Sequence, residues 1–299
     1  MRCKFIKNYG ENQLYLRELT KIFKMKIIIT NDDGFEAKGL HSLVEIMRPY
    51  GELTIISPKK PQSGMSMAVT MGHKPIAVKK LSETEGESWW YLDGTPASCV
   101  KFGIDNILFP ERPGLVVSGI NHGNNAATAA IYSGTIGAAM EGAVNGIPSI
   151  GVSLDSYDPD ADFSGIKALL PRLIDQILEK KSGDKGQFFN INFPNLPAEQ
   201  IKGVKLCHMG MAHWEKEYQD YNEFLERTGK KPSDEAMEYL RNLEEGEEVY
   251  VMAGDFTSDE GNRYPADHLL LEEGYITITP HNIDNSDHAE KDRLCDITL

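Results

Sequence analysis

The amino-acid sequence predicts an α/β protein with a doubly wound, mostly parallel sheet. Short β-branched runs alternate with helical segments from Lys26 to about residue 194, and this alternation is typical of a parallel sheet with helices on both faces. Three predicted strands end in polar, glycine-rich sequence, the place where open parallel sheets bind ligands. After residue 194 the alternation stops, so we expect a C-terminal α+β extension or arm.

The first strand–helix–strand unit is predicted from hydrophobic periodicity. Lys26–Thr30 (KIIIT) is a run typical of a strand buried on both faces. Apolar residues recur at helical spacing within Leu40–Met47, and Pro49 ends that helix. Leu53–Ile56 is the second strand. This order of elements is expected to form a right-handed βαβ unit, with the two strands parallel in one sheet.

The later elements are predicted in the same way. Helices are expected after the turn at Gly94-Thr95-Pro96, over the small residues of Thr135–Val144, and over the amphipathic stretch Ile166–Leu178. Pro58–Pro75 has no clear period and is expected to be a functional or mobile loop. The other predicted strands are, in chain order, Trp90–Leu92, Leu115–Val117, Ile147–Leu154, Phe188–Phe193, Val204–Cys207, Glu248–Val251 and Tyr275–Thr279.

The domain organisation is predicted from where these patterns begin and change. A strand begins directly after Met25, so the 24 residues before it are expected to lie outside the fold. The charged stretch Lys216–Glu247 is expected to be a helical surface insertion. The predicted parts are an N-terminal extension (1–24) and one folded domain (25–299), which consists of an α/β core (25–194) and a C-terminal extension (195–299).

Composition excludes several classes of partner. The 299 residues carry a formal net charge of -14, and an acidic surface repels nucleic-acid backbones, anionic membranes and phosphorylated substrates. No run approaches the roughly 18 apolar residues of a membrane span. The four cysteines are scattered without CxxC spacing, which is typical of reduced thiols. We therefore expect a cytoplasmic protein that binds neither nucleic acid nor membrane.

Asp32 and Asp33 are candidate metal ligands because they follow the first strand within Asn31-Asp32-Asp33-Gly34. Next to glycine, the backbone at a strand end can turn both carboxylates toward one site. Two close carboxylates raise each other's pKa unless a cation offsets the charge. Since no His or Cys lies beside the pair, one hard ion is expected, Mg²⁺ or Mn²⁺. In the structural alternative, Asp33 caps the next helix and Asp32 bonds to loop amides.

Two further segments offer oxygen atoms and amide groups. Asn121 follows the third buried strand and offers an amide oxygen, or else only shapes its loop, which also contains Asn124. Ser133-Gly134-Thr135 precedes a helix of small residues, where hydroxyls and free amides can bind phosphate or simply cap the helix. The sequence contains neither a P-loop nor a GxGxxG after the first strand, so a dinucleotide cofactor is not expected.

Several segments together resemble the SurE family of survival-protein nucleotidases. They are IIITNDDG, PQSG, VSGINHGNNAATAAIYSGTIGAAMEGAVNGIPSIGVSL and GYITITP, within about residues 25–280. The resemblance implies a Rossmann-like domain with a C-terminal arm that is swapped within a homodimer or homotetramer. It implies a metal-dependent phosphatase of nucleoside 5′- and 3′-monophosphates, with some exopolyphosphatase activity.

The resemblance also implies roles for individual residues. The implied metal ligands are Asp32, Asp33, Ser63 and Asn121. The implied catalytic residues are Asp32, which would orient or deprotonate the attacking water, and its neighbour Asn31. The implied phosphate-binding residues are Asn124, Ser133, Gly134 and Thr135. The sequence departs from the family pattern at Ser98, where relatives usually carry an acidic residue, and in the length of the stretch Lys216–Glu247.

Three alternatives compete with this interpretation. Haloacid-dehalogenase-type phosphatases form an aspartyl-phosphate, but their two aspartates are separated by one residue, whereas these are adjacent. A zinc deacetylase with a His-Pro-Asp-Asp motif would need upstream histidine, where this chain has Thr30 and Asn31. The third alternative belongs to another functional class, a nucleotide-sensing protein that binds metal and phosphate without turnover.

Overall fold

The computed structural model describes residues 25–72, 75–180 and 184–297. The extension predicted for residues 1–24 lies outside the described residues. The described chain divides into two compact units. One contains the residues up to Met209 together with those from Pro265 onward, and the other is Gly210–Tyr264.

The strands of the described chain carry most of the predicted pattern. They are β1 (Met25–Thr30), β2 (Gly51–Pro58), β3 (Val78–Thr84), β4 (Glu87–Leu92), β5 (Leu115–His122), β6 (Ser149–Leu154), β7 (Gln187–Phe193), β8 (Val204–Leu206), β9 (Ala212–Glu215), β10 (Tyr218–Asp220), β11 (Tyr250–Met252), β12 (Asp255–Ser258) and β13 (Ile276–Asn282).

The helices lie between these strands. They are α1 (Lys38–Met47), α2 (Pro96–Phe102), α3 (Ala129–Tyr132), α4 (Gly134–Val144), α5 (Ser164–Lys180), α6 (Tyr221–Thr228), α7 (Asp234–Arg241), α8 (Asp267–Glu272) and α9 (His288–Arg293). Short 3₁₀ turns occupy Arg48–Tyr50 and Ala198–Gln200, and a π-helical turn occupies Gly103–Leu108. None of the helices in the described ranges is long and apolar enough to cross a membrane.

The first unit is built on one sheet with the strand order β3-β4-β2-β1-β5-β6-β7-β13-β8. Neighbouring strands are parallel, except that β3 is antiparallel to β4 and β13 is antiparallel to β7. This mostly parallel sheet with flanking helices confirms the predicted α/β class. β8 and β13, both from the predicted C-terminal extension, thus belong to the same sheet that the first strands begin.

Helices cover both faces of the sheet, and apolar side chains fill both interfaces. Successive residues of β1 point to opposite faces. Ile27 and Ile29 lie in one buried cluster with residues of α1 and α5. Ile28 lies in another cluster, with Val100 of α2 and Ala138 of α4. The run of three isoleucines therefore indicates a strand buried on both sides, which fixes the position of the loop that follows it.

Two strands of the large sheet differ from the prediction, and β9, β10 and β12 outside this sheet were not predicted either. β3 was not predicted, because every one of its residues is exposed and its sequence has no apolar face. β5 extends to His122 rather than ending at Val117, with a register shift against β6 between Ser118 and Asn121. Gly119 lies at this shift with φ +133°, and a Cβ there would lie 2.2 Å from the carbonyl oxygen of Val152. Glycine is thus required for β5 to continue to Asn121 and His122.

The second unit, Gly210–Tyr264, contains two small antiparallel pairs, β9 with β12 and β10 with β11. The stretch predicted to be a helical insertion contains β10, α6 and α7. Asp220 caps α6 by accepting hydrogen bonds from the amides of Asn222 and Glu223, and Gly229 ends the helix in the left-handed conformation. Ser233 caps α7 in the same manner as Asp220. These short polar helices are therefore defined by their caps.

Candidate active site

The loops that follow β1, β2 and β5 are joined at the carboxyl edge of the sheet. The backbone amide of Gln62 donates to the carbonyl oxygen of Asp32 at 2.7 Å. The backbone amide of His122 lies 3.4 Å from Oδ2 of Asp33. The three strand ends that carry the predicted ligands therefore form one site, as their common edge predicts.

Asp32 is held against the N-terminus of α4. Its side chain is only 4% exposed, and the hydroxyl of Thr135 donates to its Oδ1 at 2.5 Å. A Cβ added at Gly134 would lie 2.9 Å from Cβ of Asp32 and 3.0 Å from its Oδ2. Only glycine lets the helix begin so close to this carboxylate, which the positive end of the helix dipole stabilises.

The ionised form of Asp32 is nevertheless costly in the protein alone. Burial raises the pKa of this carboxyl from 3.8 to about 6, the hydrogen bond from Thr135 opposes the rise, and the charge of Asp33 adds to it. A bound cation would favour the ionised form of such a carboxylate. A cation bound beside Asp32 would therefore offset the cost of ionising this buried carboxyl.

Asp33 is partly exposed and contacts His122. Nδ1 of His122 lies 3.5 Å from Oδ2 of Asp33, and the imidazole packs edge-on against Phe163 with ring centroids 5.3 Å apart. His122 was not among the predicted site residues. A lone histidine in a loop has no characteristic spacing, so only its place next to Asn121 could have identified it.

Asn121 and Ser63 differ in how firmly they are held. Nδ2 of Asn121 donates to the carbonyl oxygen of Gly123 at 2.8 Å, which leaves its amide oxygen as the atom that could bind a cation. Ser63 is exposed, and it directly follows Gln62, which is bonded to Asp32. The backbone bond between Gln62 and Asp32 thus places Ser63 next to the loop of Asp32. The contact between His122 and Asp33 places Asn121, the residue before His122, next to Asp33.

The donor set fits a hard divalent cation. The four predicted ligands offer two carboxylates, one amide oxygen and one hydroxyl, which are the donors that Mg²⁺ and Mn²⁺ prefer. Within the described ranges, no group of three or more His, Cys, Asp or Glu side chains could hold a metal ion. A cation at this site would therefore depend on the neutral oxygens of Asn121 and Ser63 as well as on the two carboxylates.

Asn31 shapes the loop that carries both carboxylates. It is fully buried, and its Nδ2 donates to the carbonyl oxygen of Gly34 at 3.0 Å. The hydroxyl of Ser57 donates to its Oδ1. These contacts fix the turn after β1, and a direct part of Asn31 in catalysis stays a prediction.

The predicted phosphate-binding side chains all have partners inside the protein. Oγ of Ser133 accepts from the amide of Ile136 at 3.2 Å and so caps α4, and Thr135 bonds to Asp32. Nδ2 of Asn124 donates to Asp155 at 2.6 Å. The backbone amides of Ile136 and Gly137 also donate to Ser133, and that of Thr135 donates to Asp32. A phosphate at this helix end would therefore be attracted mainly by the positive end of the helix dipole, and the role of these side chains stays a prediction.

Comparison with known proteins gives the family. The family model described as "Survival protein SurE" matches residues 27–216. Over 267 residues, the chain is 36% identical to a protein named 5′-nucleotidase SurE from Christiangramia forsetii, covering 89% of this chain and 94% of that protein. This chain belongs to the SurE family. A protein of the same name from Bacteroides fragilis is 35% identical over 268 residues, covering 90% of this chain and 95% of its own length.

A solved SurE structure has the same fold. The crystal structure of the SurE protein from Aquifex aeolicus matches with a TM-score of 0.70 and 26% identity, covering 90% of this chain and 98% of that one. The range matched by the SurE family model, 27–216, includes all of the candidate metal and phosphate residues. Most of the unit Gly210–Tyr264 and the whole segment from Pro265 onward lie beyond that range.

Proposed function

We propose that this SurE protein is a divalent-metal-dependent phosphomonoester hydrolase that releases phosphate from nucleoside 5′-monophosphates. The main support is the buried carboxylate of Asp32, held by Thr135 at the start of α4 and adjacent to a second carboxylate, Asp33. Relatives that align with about nine-tenths of this chain, at about 35% identity, carry the name 5′-nucleotidase SurE. Activity on 3′-monophosphates and polyphosphate belongs to the same proposal.

The metal would be Mg²⁺ or Mn²⁺, held by the oxygen atoms of Asp32, Asp33, Ser63 and Asn121. When bound, such a cation supplies positive charge to a phosphate group and lowers the pKa of water. Its charge would also offset the repulsion between a phosphorylated substrate and an acidic protein of net charge -14.

The protein groups have separate tasks in this proposal. Thr135 donates to one oxygen of Asp32 and keeps the carboxylate in a single orientation, so that it can accept a proton from the attacking water. The positive end of the α4 dipole would stabilise the phosphate oxygens as charge develops on them. Asn31 stabilises the turn that contains both aspartates by donating a hydrogen bond to the carbonyl oxygen of Gly34.

The remaining parts of the proposal concern the whole protein. We propose a homodimer or homotetramer, which the family resemblance supports. We also propose a cytoplasmic location, which the scattered cysteines support. Light scattering after gel filtration tests the oligomer. A nucleotide sensor without turnover is not favoured, because the relatives are named as nucleotidases.

A comparison of substrates tests the proposed activity. We expect kcat/KM at one saturating Mn²⁺ concentration to be higher for AMP, GMP and UMP than for ATP or glucose 6-phosphate. The site offers one helix N-terminus and one cation for a single phosphate, and repulsion by the acidic surface grows with the charge of the substrate. The assignment as a nucleotidase is wrong if ATP or glucose 6-phosphate is the best substrate by about tenfold, a difference of about 1.4 kcal/mol.

A further inference from the structure

The segment between β5 and α4, residues 123–133, is fixed at Ala127. This residue has φ +50°, a left-handed conformation that is uncommon for residues other than glycine. Its amide lies 3.0 Å from Oδ1 and 3.1 Å from Oδ2 of Asp267 and donates to this carboxylate. Thus a side chain from far along the sequence holds the backbone at a turn that leads to the start of α4.

Asp267 is fully buried at the first position of α8. Its carboxylate also accepts from the amide of His268 at 2.8 Å and from the hydroxyl of Thr279 at 3.4 Å. Its own amide donates to the carbonyl oxygen of His208 at 3.1 Å. Burial of a charged group is costly unless hydrogen bonds compensate it, and apolar packing is often as stable. Stability alone therefore gives little reason for a buried carboxylate at this position.

A second set of buried polar side chains holds the same segment from the neighbouring strands. Oδ1 of Asn192 accepts from the amide of Asn125 at 2.7 Å, and Nδ2 of Asn190 donates to the carbonyl oxygen of Asn125 at 2.7 Å. The side chain of Asn125 donates to Ser153 at 2.8 Å. Side chains of β6 and β7 thus fix Asn125, and Asp267 provides the corresponding anchor two residues later.

The segment 123–133 is hydrogen-bonded to the loop that contains Ser63. The amide of Ser66 donates to the carbonyl oxygen of Tyr132 at 2.8 Å, and its hydroxyl donates to that of Ile131 at 2.7 Å. Both carbonyls belong to α3, which begins two residues after Ala127. A displacement of Ala127 would therefore move α3 and, through it, the loop that contains a predicted metal ligand.

We propose that Asp267 is a positioning residue of the active site. By binding the amide of Ala127, it fixes the segment from Asn124 to Ser133 in the conformation that admits a phosphate group at the N-terminus of α4. This inference rests on the proposed function for its meaning. It adds to the site a residue from beyond the range 27–216 that the SurE family model matches.

The test compares Asp267→Asn with Glu141→Gln in the full-length protein. Glu141 is also a buried carboxylate, only 1% exposed, but it bonds to Lys101 at 2.8 Å and lies near the far end of α4. Two properties are measured well below the melting temperature of each variant. They are hydrogen–deuterium exchange of residues 124–132, and the affinity for inorganic phosphate by calorimetry with Mn²⁺ present.

For Asp267→Asn, we expect exchange in residues 124–132 to rise about tenfold and phosphate affinity to fall about tenfold, because one charged hydrogen bond is weakened. Exchange in β1 should not change. Glu141→Gln should leave both properties as in the wild type. If Asp267→Asn does not fold, the isosteric Thr279→Val removes one donor to the carboxylate and should act in the same direction by about threefold.

The inference is overturned if exchange in residues 124–132 or phosphate affinity is unchanged, or if exchange rises equally in β1, which would indicate a purely structural role. Neither measurement needs turnover. A wild-type protein that releases no phosphate from AMP would therefore refute the proposed function. The exchange and phosphate-affinity measurements would still decide whether Asp267 positions the segment 124–132.

Discussion

The hydrogen bond between Thr135 and Asp32 gives the sharpest test of how the site is held. Thr135→Val removes the hydroxyl and keeps the shape of a side chain that is fully buried. The lost bond, 2.5 Å long, donates to a carboxylate that burial already disfavours in its ionised form. Hydrogen bonds to charged groups contribute about 1.5–3 kcal/mol, and loss of a residue that orients a ligand typically costs 10–100-fold in metal affinity.

We therefore expect Thr135→Val to bind Mn²⁺ about 10–100-fold more weakly than the wild type. Calorimetric titration of the metal-free protein measures this affinity without any assay of activity. The matched control is Thr277→Val, since Thr277 is also fully buried and its hydroxyl has no hydrogen-bond partner in the described part of the chain. Equal Mn²⁺ affinities for Thr135→Val and the wild type would refute the role of this bond.

Three further changes have definite expected outcomes. Ser63→Ala should weaken Mn²⁺ binding with little change in melting temperature, since Ser63 is exposed, and an unchanged titration curve would remove it from the ligand set. Gly134→Ala should lower kcat/KM by at least about tenfold, because the new Cβ meets Asp32 at 2.9 Å, whereas Gly165→Ala, with no neighbour closer than 3.4 Å, should be neutral. Burial raises the pKa of the Cys99 thiol, so this thiol should resist alkylation at pH 8, whereas the exposed Cys295 should react. Peptide mapping of the alkylated protein measures both, and labelling of Cys99 in the folded protein would contradict its burial.

Local sequence patterns were enough to predict the centre of the fold. The three isoleucines of β1 and the helical spacing of α1 are local signals, and both elements lie where they were expected. β3 was missed because it is an exposed edge strand without apolar alternation. The end of β5 was predicted too early because Ser118-Gly119 is typical of a strand end, whereas this glycine lets the strand continue past a register shift.

The sequence was enough to propose the residues of the candidate site, whose roles stay predictions, but not the contacts among them. Asp32 and Asp33 follow a buried strand, and this position alone indicates the edge where ligands bind. The sequence predicted either phosphate binding or helix capping for Thr135. It did not predict the hydrogen bond from Thr135 to Asp32, because the two residues are 103 positions apart. Asp267 has no local motif, and its role depends on a contact with Ala127 across 140 positions.

The metal-dependent mechanism is tested most directly by asking whether release of phosphate from AMP requires a divalent metal at the aspartate pair. Protein stripped by a chelator should release no phosphate, and added Mn²⁺ or Mg²⁺ should restore the release. Asp33→Asn should fold, as judged by its circular dichroism spectrum, and should lose most of the activity even with metal added. Full activity of Asp33→Asn in the presence of the chelator would contradict the metal-dependent mechanism.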